Sequence, residues 1–125
     1  MSKLTKSGNI AKFETGAIRD SATGKGDMFA MPAAALLRLS KHYEQGSITY
    51  GRLNYQKGMP CSRLLDSAKR HIEMYLDGQD NEDHLSAAAW NILAALQMEE
   101  RNPDCQDIEA RKGKKTVFYE DEKGD

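Results

Sequence analysis

The chain has 125 residues, with 18 Lys plus Arg against 19 Asp plus Glu, a net charge of -1 and an apolar fraction of 39%. That length predicts one domain, and the near-neutral balance removes the cationic field on which non-specific binding to a nucleic-acid duplex depends. No apolar run approaches the roughly 20 residues of a membrane-spanning helix, and Met1 to Lys12 has no signal-peptide core, so no membrane association and a soluble intracellular protein are expected. Cys61 and Cys105 are too few and too far apart to suggest a disulfide framework or a chelating pair, and two free thiols suit a reducing compartment.

Residues 1–31, rich in Gly, Ser, Thr and Lys, show no sustained hydrophobic period and predict an extended arm ending at Pro32. Pro32 suits a helix start. Ala33, Leu36, Leu37, Leu39 and Tyr43 supply an apolar stripe, and Gly46 is placed to stop the helix, which predicts helix over 33–45. The segment Ser47 to Met59, with Gly51, Asn54 and Gly58 among Tyr50, Leu53 and Tyr55, predicts a long structured connection of the kind that often carries function.

A second helix is predicted after Pro60, with Leu64, Leu65, Ala68, Ile72, Tyr75 and Leu76 at helical spacing and Gly78 as its stop. A third opens at Asp80 or Asn81 and runs through Leu85, Ala88, Ala89, Ile92, Leu93 and Leu96 until Asn102 and Pro103 end it. Its alanines keep the surface narrow enough for a neighbour to approach closely. Beyond Pro103 the chain turns polar, with a brief strand-like run from Thr116 to Tyr119. The expected fold class is all-α: a small bundle of three main helices (32–102) with an extended N-terminal arm (1–31) and a polar tail (103–125). Three helices alone make a thin core, so completion as a homo-oligomer is expected.

The richest polar constellation is Asp66, Arg70, His71, Glu73 and Asp77 on the second helix, followed by Asp80, Glu82, Asp83, His84 and Asn91. Oxygen ligands from several carboxylates suit Mg²⁺ or Mn²⁺, which neutralise phosphates and activate water. The plainer reading is an Asp66–Arg70 helical ion pair and an acidic helix N-terminus at Asp80 to Asp83. His84 and Asn91 lie two turns apart on one stripe, and His71 can join them across the bundle or serve as a hydrogen-bonded core residue. Trp90 offers either a stacking surface or a core anchor. Gly24-Lys25-Gly26 and the later Arg52, Lys57 and Gly58 combine backbone freedom with cationic donors, although Gly-Lys-Gly is shorter than a P-loop signature. No Ser/His/Asp ordering or motif around Cys61 points to covalent catalysis.

Taken in order, Phe13-Glu14-Thr15-Gly16-Ala17-Ile18-Arg19-Asp20, Gly24-Lys25-Gly26, Tyr50-Gly51, Lys57-Gly58, Ser62-Arg63, Leu65-Asp66-Ser67-Ala68, Arg70-His71, Glu82-Asp83-His84-Leu85 and Ala87 to Asn91 resemble a bacteriophage family described as dATP/dGTP diphosphohydrolase, N-terminal domain. The resemblance spans about Phe13 to Arg101 and implies a small helical protein of the infected host's cytoplasm that handles purine deoxynucleotides, with a relation to MazG-type all-α nucleotide pyrophosphohydrolases. The chain departs from the family's pattern at Arg52-Leu53-Asn54-Tyr55, where Arg-Asn-Trp is usual, and at Asp27, where Arg is usual. The paired Glu-x-x-Glu and Glu-x-x-Asp signatures of MazG-type enzymes are not evident.

The resemblance implies a metal-assisted purine deoxynucleoside triphosphate diphosphohydrolase, releasing pyrophosphate or successive phosphate from the nucleotide. On that reading Glu44, Asp66 and Asp83 face the metal, with Mg²⁺ or Mn²⁺ as cofactor. Asp66, His71, Asp83 and His84 form the catalytic group, His71 and His84 orienting water or phosphate. Lys25, Arg63 and Arg70 meet the anionic tail, with Trp90 and Asn91 at the base or ribose. The alternative of a different class is a non-catalytic protein that sequesters a host nucleotide-derived immune signal, and a third is a purely structural helical adaptor.

Overall fold

The computed structural model describes residues 10–114, which fall into two compact units, one within 10–31 and one within 32–114. The first holds an antiparallel hairpin of β1 (Ile10–Lys12) and β2 (Ile18–Asp20), in the register Ile10↔Asp20 and Lys12↔Ile18. Gly16, at φ 95°, takes the left-handed conformation that its turn requires. The arm therefore carries local sheet, which three-residue strands are too short to announce through alternation. The strand-like run Thr116 to Tyr119 lies outside the described residues.

The second unit is all-α among its described residues: α1 (Ala33–Tyr50), α2 (Cys61–Leu76) and α3 (His84–Arg101), with short 3₁₀ turns around them. Pro32, extended at ψ 112°, precedes α1. Gly46 does not stop this helix. It sits in the interior, at the roughly 1 kcal/mol a mid-helix glycine costs against alanine, and the helix continues to Gly51, whose φ of 100° ends it. The connection from Gly51 to Pro60 holds a 3₁₀ turn, Asn54–Lys57, preceded by Leu53 in the left-handed region at φ 64°.

Gly78, at φ 85°, closes α2 with a paired-bond stop: its N–H reaches the Tyr75 carbonyl at 3.0 Å, and that of Gln79 reaches Met74 at 3.1 Å. Helix α3 begins three or four residues later than the acidic run suggests. Asp83 is its cap, accepting from the Ser86 N–H at 3.1 Å.

Helices α2 and α3 pack along most of their length, whereas α1 touches α3 more lightly and has no fully buried residue. The core is Cys61, Leu64, Ala94 and Met98, surrounded by Tyr55, Met59, Trp90, Cys105 and Ile108. Ala87, Ala88 and Ala94 on α3 are all buried, so small side chains on this stripe face the packed interior. Residues 103–111 form two further 3₁₀ turns. Between them Asp107 accepts from the backbone N–H of Ser62 at 2.8 Å and from its hydroxyl, capping the first turn of α2 from 45 residues away.

Candidate functional site

A cavity of roughly 960 Å³ opens between α1, the Gly51 to Pro60 connection, α2 and α3. One wall is aromatic. Trp90 meets Tyr55 edge-on at 5.8 Å between ring centres, and lies 6.0 Å from Tyr43 and 6.2 Å from His42. Tyr43 is half-buried; burial, then the neighbouring Tyr55, raises its pKa above the ordinary phenol value. His42 and Tyr43, adjacent on α1 and about 100° apart around its axis, each come within reach of Trp90 on α3, and the 3₁₀ turn delivers Tyr55 to the same ring.

Polar groups line much of the remainder, beside Leu53, Met59 and Leu64. Lys41, Arg52 and Arg63 bring positive charge from α1, the connection and α2, while Glu44 and Glu82 bring carboxylates. Asn91 reaches the same space from α3; its Nδ2 donates to the Ala87 carbonyl at 2.8 Å, which leaves its Oδ1 and the second Nδ2 hydrogen for a ligand. The cavity thus joins an apolar aromatic side to a polar side of both charges, an arrangement suited to a ligand with a flat ring and an anionic end.

At the Glu82 end lies a pair of histidines. His71, on the cavity wall, and the buried His84 face one another with their Nδ1 atoms 3.0 Å apart, and His84 Nε2 lies 2.8 Å from Asn81 Oδ1. Burial holds the His71 pKa below the ordinary imidazole value; Glu82 opposes that shift, and His84, Arg70 and His42 reinforce it. One ligand atom from each of His71, Glu82 and His84 falls within 4.8 Å of the others, so this group could hold a metal ion.

Several residues named from the sequence stand elsewhere. Asp66 is exposed and paired with Arg70 one turn along α2, and neither lines the cavity. Asp83 caps α3 and binds Arg38, Nε to Oδ2 at 2.9 Å and the terminal nitrogen to Oδ1 at 2.7 Å; that fork, more than the cap, holds its pKa far below the usual carboxylate range. Lys25 belongs to the other compact unit. Glu44, Arg63, His71, Trp90 and Asn91 do share the cavity, with His84 behind its wall. Sequence reasoning missed Tyr43 and Tyr55 as a wall, Arg38 as the partner of Asp83, and Asn81 as the group behind His84. The one available signal was the polarity of the Asp80 to His84 turn.

No curated protein and no solved structure matches the chain. A family model described as "dATP/dGTP diphosphohydrolase, N-terminal" matches residues 15–108, more than half of its length.

Proposed function

Since the chain belongs to the dATP/dGTP diphosphohydrolase N-terminal domain family, we propose that its helical unit binds a purine deoxynucleoside triphosphate in the cavity and hydrolyses it with the help of a divalent cation. The observation that carries this reading is the shared lining: an aromatic wall around Trp90 with Arg52, Arg63, Glu44, Glu82 and His71 on one cavity. The base lies against the Trp90 and Tyr55 side, with the Asn91 Oδ1 accepting from an exocyclic amino group. Arg63, Arg52 and Lys41 meet the phosphates.

The cavity's carboxylates and imidazole fit a cation, and Mg²⁺ or Mn²⁺ is the expectation from nucleotide chemistry. A bound divalent ion would neutralise phosphate charge and make water a stronger nucleophile at neutral pH. Glu44 and Glu82 hold negative charge opposite the arginines and so set where the ion and the phosphate chain lie. His71 orients the water that attacks the α-phosphorus, Glu44 takes its proton, and pyrophosphate leaves.

We include self-association and action in the infected host's cytoplasm in this reading. On α3 Leu85, Ile92 and Leu96 recur at i, i+7 and i+11 beside the buried stripe, and on α2 Ile72 and Leu76 lie one turn apart, all at least 37% exposed. A second copy presents the same apolar rows, which makes a two-fold interface self-complementary. Among the described residues no helix is long and apolar enough to cross a membrane.

The decisive experiment incubates the full chain with dATP or dGTP and Mg²⁺ or Mn²⁺ and separates the products. The proposal expects multiple turnover to monophosphate and pyrophosphate, with Glu82→Gln losing turnover yet keeping nucleotide affinity. Stoichiometric binding of a nucleotide-derived ligand that is released intact on denaturation, with no turnover under either ion, would replace the enzyme by the sequestering protein. No nucleotide-induced thermal shift would leave the structural adaptor.

A further inference from the structure

Two histidine nitrogens that approach each other share either a proton or a cation. His71 Nδ1 and His84 Nδ1 come from different helices and lie 3.0 Å apart. Behind His84, Asn81 Oδ1 can only accept, so the Nε2 atom 2.8 Å away carries the hydrogen. A neutral His84 therefore directs its Nδ1 lone pair at His71. A histidine oriented from behind by an outer carbonyl oxygen, with its inner nitrogen free, is the usual arrangement of a metal ligand.

We propose that His71, Glu82 and His84 form a site for one first-row divalent transition ion, of the Mn²⁺, Co²⁺ or Zn²⁺ class, that selects against Mg²⁺. Bonds of roughly 2.0–2.1 Å at angles of roughly 90–110° place two ligand nitrogens about 2.9–3.4 Å apart. The observed separation falls near the short end of that range, so a turn of the two rings that aims both lone pairs at one point lets the pair share an ion. Uptake also requires that His71 carry its hydrogen on Nε2, a change of tautomer with no net loss of a proton. Glu82, with a carboxylate oxygen within 4.8 Å of one ring nitrogen of each histidine, adds the charged oxygen that offsets the ion's charge.

Two imidazoles in a three-ligand set decide the metal class. Mg²⁺ seeks oxygen in a near-octahedral shell and keeps its waters, whereas imidazole suits the later first-row ions. His84 is 2% exposed, whereas His71 and Glu82 line the cavity, so the site borders the cavity. This inference deepens the nucleotide reading by naming the cation class at its polar end, and its geometry stands without a nucleotide.

The test uses the untagged full chain, stripped with a chelator and dialysed against Zn²⁺, Co²⁺, Mn²⁺ or Mg²⁺ alone, with bound metal counted per chain. One equivalent of Zn²⁺ or Co²⁺ is expected, with Mg²⁺ at least 100-fold weaker. Co²⁺ should give visible ligand-field bands without the near-ultraviolet charge-transfer band of thiolate ligation, which excludes Cys61 and Cys105. Glu82→Gln, at an exposed position, should weaken binding about tenfold and His71→Gln about 100-fold, each with wild-type helicity by circular dichroism. The proposal is overturned if no ion binds stoichiometrically, if Mg²⁺ binds as tightly, or if both variants bind like wild type. Nucleotide affinity is followed separately by Trp90 fluorescence in chelator. Nucleotide binding without ion uptake defeats this inference alone, whereas ion uptake without nucleotide binding supports it and defeats the nucleotide reading alone.

Discussion

The Arg38 guanidinium grips both carboxylate oxygens of Asp83, at 2.9 and 2.7 Å, and so ties α1 to the first turn of α3 across 45 residues. The same carboxylate caps Ser86. One side chain therefore sets where α3 begins and holds α1, which has no fully buried residue, against it. Asp83→Ala is expected to lower stability by about 1–2 kcal/mol, about 1 kcal/mol of it from the cap and the rest from an exposed ion pair. Asp83→Asn keeps a capping oxygen and should cost less. Urea unfolding measures both, and folded Asp83→Asn should bind nucleotide with wild-type affinity; a loss of affinity at full helicity would place Asp83 in the site.

The Arg38 fork also gives Asp83 a pH signature. It holds the folded-state pKa well below the unfolded value of about 3.9. A depressed carboxylate contributes stability that is present above the unfolded value and lost as pH falls through the folded one. The gap in Tm between wild type and Asp83→Asn should therefore narrow from pH 7 to pH 2.5. An unchanged gap would mean that the charge of Asp83 does not stabilise the fold.

Trp90 is the chain's one tryptophan and lines the cavity. Binding of dATP or dGTP should change its emission, and Arg63→Ala should weaken the affinity read by that change about tenfold or more, as loss of a cation facing phosphate predicts. An emission that ignores saturating nucleotide, while calorimetry detects binding, would put the ligand elsewhere.

The apolar rows on α2 and α3 are tested by Ile92→Glu. Ile92 is 42% exposed, so the charge costs the single chain little, whereas a two-fold interface would bury it twice. Light scattering should report a fall to the mass of one chain with the thermal transition still cooperative. A wild type that is already monomeric at micromolar concentration removes the interface.

Asp107 reaches back to the first turn of α2 through both polar groups of Ser62. Asp107→Ala should lower the Tm and raise hydrogen exchange first at the N–H groups of residues 61–64. Uniform exchange along α2 would show that the cap does not act locally.

Much of the fold was legible because helix formation depends on near neighbours. The i, i+3, i+4 recurrence from Leu64 and from Leu85, with Pro32, Pro60, Gly78 and Asn102 as punctuation, marks three helices, with the end of α1 placed five residues early and the start of α3 three or four residues early. The ordered motifs from Phe13 to Asn91 likewise sufficed for the family. Gly46 was misleading because a glycine stops a helix only where the chain must turn left-handed, and Gly51 provides that turn. Among the polar residues, local spacing pairs Asp66 with Arg70, and nothing in it relates His71 to His84, thirteen residues on, or Arg38 to Asp83. Those meetings depend on how far the Gly78 turn rotates α3 against α2 and on how closely its alanines let the two approach. The composition of the polar cluster was therefore a property of the sequence. Which of its members converge on one cavity, and which are spent on caps and ion pairs, was decided by helix packing, because side chains distant in the chain meet only once the backbone between them has chosen its path.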